Sequence, residues 1–330
     1  MANKPSTLLR RALWRIEYVA VRGAEMTFLM LPPAAAIGLA KVLARLYFRL
    51  GRSRRRTVLE NLRVAMGDRL GEDARLELAR RNFEHAFILL CEIVTRRRMV
   101  PDRRAFRRLT RLRGDVAEIL ADIREGTGGL FLTAHFGNWE TAGALLTYER
   151  VPFAAISRPV PNPYVQAYLM RTRNDAFDIL EKRGAVQGTL DAIRSGRWVA
   201  ILGDQNAGRH GVFVPFFGIP ACTYPLPATL AVRHGLKVYF AAAVRRAPGH
   251  RFDMLLHRYV RPPGLDHREA ETHLLTQYHT TIETWIRAYP EQYFWMHRRW
   301  KTRPEGEVPG PNVPAYDRRG GGTKRRPAAV

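Results

Sequence analysis

A histidine and an acid five residues apart, His135 and Glu140, stand within the stretch GGLFLTAHFGNWETAGALL at residues 128–146. A histidine can take a proton from a hydroxyl near neutral pH when a neighbour holds one ring nitrogen and leaves the other free. Leu130, Phe131 and Leu132 suit a buried strand and residues 140–146 suit a helix, so residues 136–139 make the turn between them. His135 then falls at the C-terminal edge of a strand, where open α/β sheets keep their ligands. Glu140, in the first helical turn where the helix dipole favours a carboxylate, is a candidate for the holding neighbour. Gly137 would let the backbone fold tightly enough for the two to meet. On spacing alone, the same residues also read as a satisfied strand-end histidine beside a solvated acid.

Other polar residues fall at the ends of other apolar runs. Residues 152–157 read as a second buried strand that delivers Arg158, and residues 198–202 as a third that stops at Gly203, Asp204, Gln205 and Asn206. Asp204 therefore competes with Glu140 as the partner of His135. Strands that repeatedly end in polar residues argue for an α/β sheet with one reactive edge. Residues 204–223 read as a long loop, polar around Gly208, apolar over 212–217, and ending near Cys222 and Thr223. Its backbone N–H groups could receive an oxyanion or phosphate, and Phe213, Phe216 and Phe217 could line an apolar slot or plug the core. The Gly-Lys-Ser/Thr ending of a phosphate loop is absent. His267, Glu271, His273 and His279 lack a convincing third ligand, so no metal is expected.

The elements that must hold these residues are mostly helices. Helical patterns cover 58–66, 73–95, 115–124, 164–180 with Arg171 and Arg173, 186–195, 224–234 and 267–289. A strand pair covers 237–245 and 251–259. With 330 residues, 46% of them apolar, the chain can build one large α/β domain or two small ones, and wholesale disorder is excluded. The balance of 54 Lys and Arg against 30 Asp and Glu, a net charge of +24, suits polyanionic partners: nucleic acid, an anionic membrane face or an acidic protein. Cys91 and Cys222 form no metal or redox spacing.

Residues 26–40 are uncharged but too few for a membrane span, which takes about 18–20 apolar residues, and Pro32 and Pro33 interrupt them. With the basic helical pattern of Lys41, Arg45 and Arg49, residues 1–50 read as an interfacial membrane anchor or as a buried helical hairpin. Residues 290–303 mix aromatics with cations, which could stack on nucleobases or lie at a membrane interface. From 304 to 330 the chain reads as a disordered basic tail.

Five separated stretches, in order, share one resemblance: GRSRRRTVLENLRVAM, HFGNWE around His135 and Glu140, SRPVPNP with Arg158, DQNAGRHGVFVPFFGIPACT, and PEQYFWMHRRWK. Together they resemble the bacterial lipid A biosynthesis late acyltransferases, the lauroyl/myristoyl transferase group of the lysophospholipid acyltransferase superfamily. The resemblance implies a single α/β catalytic domain over 51–303, with a mostly parallel or mixed central sheet flanked by helices and membrane-associated helices before it. It implies acyl transfer from an acyl carrier protein or acyl-CoA thioester to an anionic glycolipid at the cytoplasmic side of the inner membrane, without a cofactor. His135 would be the general base and Glu140 its orienting carboxylate. Arg158, with Arg171 or Arg173, would grip phosphate. Asp204, Gln205, Asn206, Gly208, Phe216, Phe217, Gly218 and Thr223 would shape the acceptor and acyl pocket. On this reading the positive charge answers an acidic carrier and an anionic leaflet; a nucleic-acid-binding protein ranks well below, and a catalytically inactive glycolipid-binding relative is discouraged by the intact His135 and Glu140 pair.

Overall fold

The computed structural model describes residues 7–157, 159–174, 178–181, 185–307, 313, 314 and 316; the side chains at 68, 144, 145, 172–174, 181 and 185 lie outside that description. The chain opens with α1 (Thr7–Met30), α2 (Pro33–Leu50), α3 (Arg52–Met66), α4 (Glu72–Met99) and α5 (Arg103–Leu109). There follow β1 (Thr110–Gly114), α6 (Val116–Arg124), β2 (Gly129–Gly137), α7 (Trp139–Leu146), β3 (Phe153–Ser157), α8 (Pro163–Asn174), β4 (Asp178–Glu181), α9 (Ala185–Arg194) and β5 (Trp198–Leu202). The last part holds β6 (Val212–Phe216), β7 (Ile219–Thr223), α10 (Leu226–His234), β8 (Lys237–Ala247), β9 (Arg251–Tyr259) and α11 (His267–Ala288).

Among the described residues, seven strands make one mixed sheet in the order β1-β9-β8-β2-β5-β3-β4, and β6 and β7 pair as a separate hairpin. Within the sheet only β8 and β9 pair antiparallel. The central strands are buried on both faces, which is why LFL, WVAIL and VYFAAAV read as unbroken apolar runs. Leu130, Leu132, Val199, Ile201, Val238 and Phe240 pack on one face with α3, α4 and α11. Phe131, Trp198 and Tyr239 pack on the other, where α6 contributes Ile119.

Pro32 separates α1 from α2. The small residues Ala36, Ala40 and Ala44 of α2 lie at helical spacing and are buried, and α2 packs along α4. The opposite side of α2 and most of α1 leave Leu8, Ile16, Val19, Met30, Val42, Leu46 and Leu50 exposed. No helix among the described residues is long and apolar enough to cross a membrane.

The structure departs from the sequence reading in four places. The helix expected through 180 ends at Asn174, and β4 adds to the outer edge of β3. A four-residue edge strand needs only a neighbour's free backbone, which apolar periodicity does not report. Nothing in TRLRG signals β1, whose place is set by parallel pairing with β9. The loop expected over 204–223 contains the hairpin β6–β7, reversed at Phe217 and Gly218 with φ of 52° and 75°, the positive pair that a tight primed turn requires.

Part of the tail expected to be disordered is packed. The Tyr316 hydroxyl donates to Asn61 Oδ1 and accepts the Trp300 N–H, and the Val313 carbonyl accepts from Arg63. One aromatic ring with a placed hydroxyl is enough to anchor a segment whose average composition is polar.

Candidate active site

The end of β2 is bent out of regular pairing. Its register with β8 shifts between Thr133 and Gly137, and Gly137 sits at φ +64°. A Cβ there would stand 1.9 Å from the Ala243 carbonyl oxygen, so the bulge admits only glycine without rearrangement. The next N–H, of Asn138, donates to that carbonyl at 2.8 Å. Asn138 Oδ1 then accepts the Thr141 N–H at 2.9 Å and caps α7. The bulge thus carries His135 to the sheet edge and begins α7 with Glu140 in its first turn.

His135 is held by Asp204 at two points. Its backbone N–H donates to Asp204 Oδ2 at 3.0 Å, and its Nδ1 lies 2.8 Å from Asp204 Oδ1. An ionised carboxylate only accepts, so Nδ1 carries the proton and Nε2 keeps its lone pair. Gln205 Nε2 approaches that lone pair at 3.3 Å. The imidazole is 22% exposed, against 3% for the Asp204 side chain, and the rings of Trp139 and Phe294 stand 5.1 and 6.1 Å from it. Burial works to lower the His135 pKa, but the charge and hydrogen bond of Asp204, helped by the charge of Glu140, outweigh it and raise the pKa above 6.5. Burial would raise Asp204, but the charge and hydrogen bonds of His135 bring it below the usual aspartate value.

Residues 204–207 are fastened from behind. The Asn206 N–H donates to His297 Nε2 at 3.0 Å, and the Asn206 side chain exchanges hydrogen bonds with Thr302. The Ala207 N–H donates to the Cys222 carbonyl, which also accepts from Arg299 Nη1 at 2.7 Å. Arg299 is wholly buried; its Nη2 donates to Thr223 Oγ1 at 2.6 Å and reaches His279 Nε2 at 3.2 Å. Burial, then the Arg299 charge, push His279 down to about 3, so it stays neutral and donates from Nδ1 to the Pro215 carbonyl. Burial likewise takes His297 down to about 4.

Of the residues singled out from sequence, His135, Asp204 and Gln205 converge directly. The carboxylate at Nδ1 is that of Asp204, and Glu140 acts on His135 through its charge. Asn206 faces His297 and Thr302. Phe216 and Thr223 are buried against Tyr293, Trp300, His279 and Arg299; they back the site and do not line an open slot. Phe217 and Gly218 form the hairpin turn, whose Phe217 N–H donates to Glu283 at 2.6 Å, and the Gly208 carbonyl accepts the Cys222 thiol. Arg171 is exposed on α8, which packs on α1 and β4. Arg158 and the side chain of Arg173 lie outside the described residues.

The aromatics of residues 290–303 also change meaning. Tyr293, Trp295 and Trp300 are core residues, with Asn61 and Asn82 donating to the carbonyls around them. Their burial leaves them no face for nucleobase stacking.

A second polar cluster, missed from sequence, lies under the bulge. Arg245 clasps Glu92 through Nε and Nη2, both at 2.6 Å, and also donates to His85 Nδ1. The Nε2–H of His85 donates to the Gly137 carbonyl at 3.1 Å, and Asn138 donates to Glu92 at 2.8 Å. Burial, then the charge of Arg245, holds His85 neutral, well below its ordinary value. The signal was there in FILLCEIV, where an acid interrupts an apolar helix face and must be paired if buried.

A mixed α/β sheet that ends in a carboxylate-held histidine defines a site able to draw a proton from a bound nucleophile. Comparison with known proteins supplies the rest: residues 7–302 match the family model described as bacterial lipid A biosynthesis acyltransferase, and the chain belongs to that family. It is an acyltransferase. It is 27% identical over 311 residues to the lipid A biosynthesis lauroyltransferase of Escherichia coli (strain K12), covering 93% of this chain and 98% of that protein. It is also 27% identical over 290 residues to the myristoyltransferase of the same organism, 84% of each chain. A shorter match, 28% over 138 residues and 40% of this chain against 44% of the relative, is to the phosphatidylinositol mannoside acyltransferase of Mycobacterium tuberculosis (strain ATCC 25618 / H37Rv).

Proposed function

We propose that this protein moves a fatty acyl chain from a thioester of acyl carrier protein or coenzyme A to a hydroxyl of a lipid A precursor, with His135 as general base. The observation that carries the reading is the double hold of Asp204 on His135, which fixes the ring with the proton on Nδ1 and the lone pair on Nε2. Nε2 takes the proton of the acceptor hydroxyl, whose oxygen attacks the thioester carbonyl. The tetrahedral intermediate collapses by breaking its C–S bond, and the leaving thiolate takes the proton back from the imidazolium. The carboxylates of Asp204 and Glu140 favour the imidazolium during that interval. The Gln205 amide, already beside Nε2, is the donor nearest the developing oxyanion.

The exposed apolar residues of α1 and α2, interleaved with Arg11, Lys41, Arg45 and Arg49, suit the surface of an anionic inner membrane, where the acceptor resides. The net charge of +24 suits an acidic donor carrier.

Purified protein incubated with a lipid A precursor and either donor should yield a lipid heavier by one acyl chain in mass spectrometry, and His135→Ala should yield none. Acyl gain on a phosphatidylinositol mannoside instead would move the acceptor to that of the mycobacterial relative. No transfer from either donor to either lipid would sink the proposal.

A further inference from the structure

Arg299 is a buried cation without a carboxylate at hydrogen-bonding distance among the described residues. Its Nη1 and Nη2 go to the Cys222 carbonyl, Thr223 Oγ1 and neutral His279, its Nε has no partner, and its guanidinium lies 5.5 Å over the Phe216 ring. Burying a guanidinium on neutral partners alone is costly, so a countercharge is required. The groups whose charges act on it are Tyr293, Asp204, Tyr278 and Cys222. Both phenols are held neutral, pushed well above 10 by burial, and the Cys222 thiol donates its proton to the Gly208 carbonyl. Asp204 is left as the anion, and its hydrogen bonds are already given to His135.

The same guanidinium has a mechanical hold on the site. It shares the Cys222 carbonyl with the Ala207 N–H, at the point where the loop bearing Asp204 and Gln205 is tied to β7. Its own backbone N–H donates to the carbonyl of His297, the residue that receives the Asn206 N–H.

We propose that Arg299 is a positioning residue for the proton transfer: it is the buried countercharge of Asp204 and the anchor of the 204–207 loop. It thereby sets both the place and the basicity of His135. Acting through Asp204, its positive charge opposes a second proton on the His135–Asp204 pair, while Glu140, at the start of α7, favours one. His297 and His279, which face the cluster from the 293–302 segment and from α11, are neutral. Removing Arg299 should therefore make His135 harder to deprotonate. A group that only fills space would leave that titration unmoved.

This inference rests on His135 as the base, and its first test is independent of turnover. The His135 imidazole is followed by NMR against pH in the full chain, wild type against Arg299→Met and Arg299→Lys. Arg299→Met should move the His135 midpoint to higher pH, and Arg299→Lys, which keeps the charge but loses the fork of donors, should stay near wild type. In acyl-transfer assays Arg299→Met should then lose more rate at low pH than at high pH, about tenfold more per unit of midpoint shift. Arg299→Lys should lower kcat at all pH values with little movement of the limb. An unmoved His135 midpoint in folded Arg299→Met overturns the proposal while leaving the acyl-transfer reading intact. If Arg299→Met does not fold, an Arg299→Lys variant with both the His135 midpoint and kcat unchanged overturns it equally. A shifted midpoint without transfer by the wild type would instead count against the reaction.

Discussion

Two ionic clusters occupy the same end of the sheet, and they differ in what their histidine is allowed to do. In the Glu92–Arg245 cluster every nitrogen of His85 is committed, one to the Gly137 carbonyl and one to Arg245, and burial keeps the ring neutral. In the Asp204 cluster Nδ1 of His135 is held by a carboxylate that raises the ring's pKa, while Nε2 meets the Gln205 amide and the ring stays partly exposed. One cluster is closed and holds the bulge in shape. The other is open on one side, and that side is where a proton can arrive. The difference lies in exposure and in which charge holds the ring, since both clusters possess a histidine, an acid and an arginine.

The largest break in that comparison should come from His135→Ala, which should cost about 10²–10⁴-fold in acyl transfer with an unchanged thermal melt. Opening the closed cluster should do the reverse. Arg245→Met strands a buried carboxylate and should cost roughly 3–5 kcal/mol in denaturant unfolding, while the molecules that stay folded keep their activity within a few-fold. Loss of transfer without loss of stability in that variant would show that the closed cluster also takes part in the chemistry.

A smaller effect separates the two acids beside His135. A general base must be neutral, and the His135 pKa is raised, so on the proposed role wild-type activity should fall as pH drops through a value above 6.5. Asp204→Asn removes the main source of that rise, so the acid limb should move to lower pH and kcat should fall on the order of 100-fold. Glu140→Gln should move the limb the same way by less, with a loss of about tenfold or under. A larger loss from Glu140→Gln than from Asp204→Asn would return the orienting role to Glu140. The smallest effect belongs to Tyr316→Phe, which removes a hydroxyl shared by Asn61 and Trp300 and should cost about 1 kcal/mol of stability.

Much of this was legible in the sequence, for identifiable reasons. β2, β3, β5 and β8 announce themselves through apolar runs, as buried strands must, and β9 through the alternation of its buried residues. The edge strands β1 and β4 do not, since pairing with one neighbour sets them and their side chains are partly exposed. His135, Glu140 and Asp204 stand out as polar residues at the ends of apolar runs. The choice between the two acids depends on which strand lies beside β2, and adjacency in a sheet is a long-range fact that spacing along the chain does not carry. Arg299 hides for a different reason: in MHRRWK it reads as one more surface cation, and only burial distinguishes it from Arg298 beside it.

The backbone bond from Phe294 to the His135 carbonyl and the fastening of the 204–207 loop by His297, Arg299 and Thr302 have a consequence in time. Those residues are translated long after His135. At typical synthesis rates of about 5–20 residues per second, β2 exists for on the order of ten seconds before the segment that completes its surroundings is made. The basic helices α1 and α2, which precede β2 in the chain, are already made throughout that interval. With those helices as the proposed membrane anchor, the nascent chain would reach the lipid surface before the surroundings of His135 are complete.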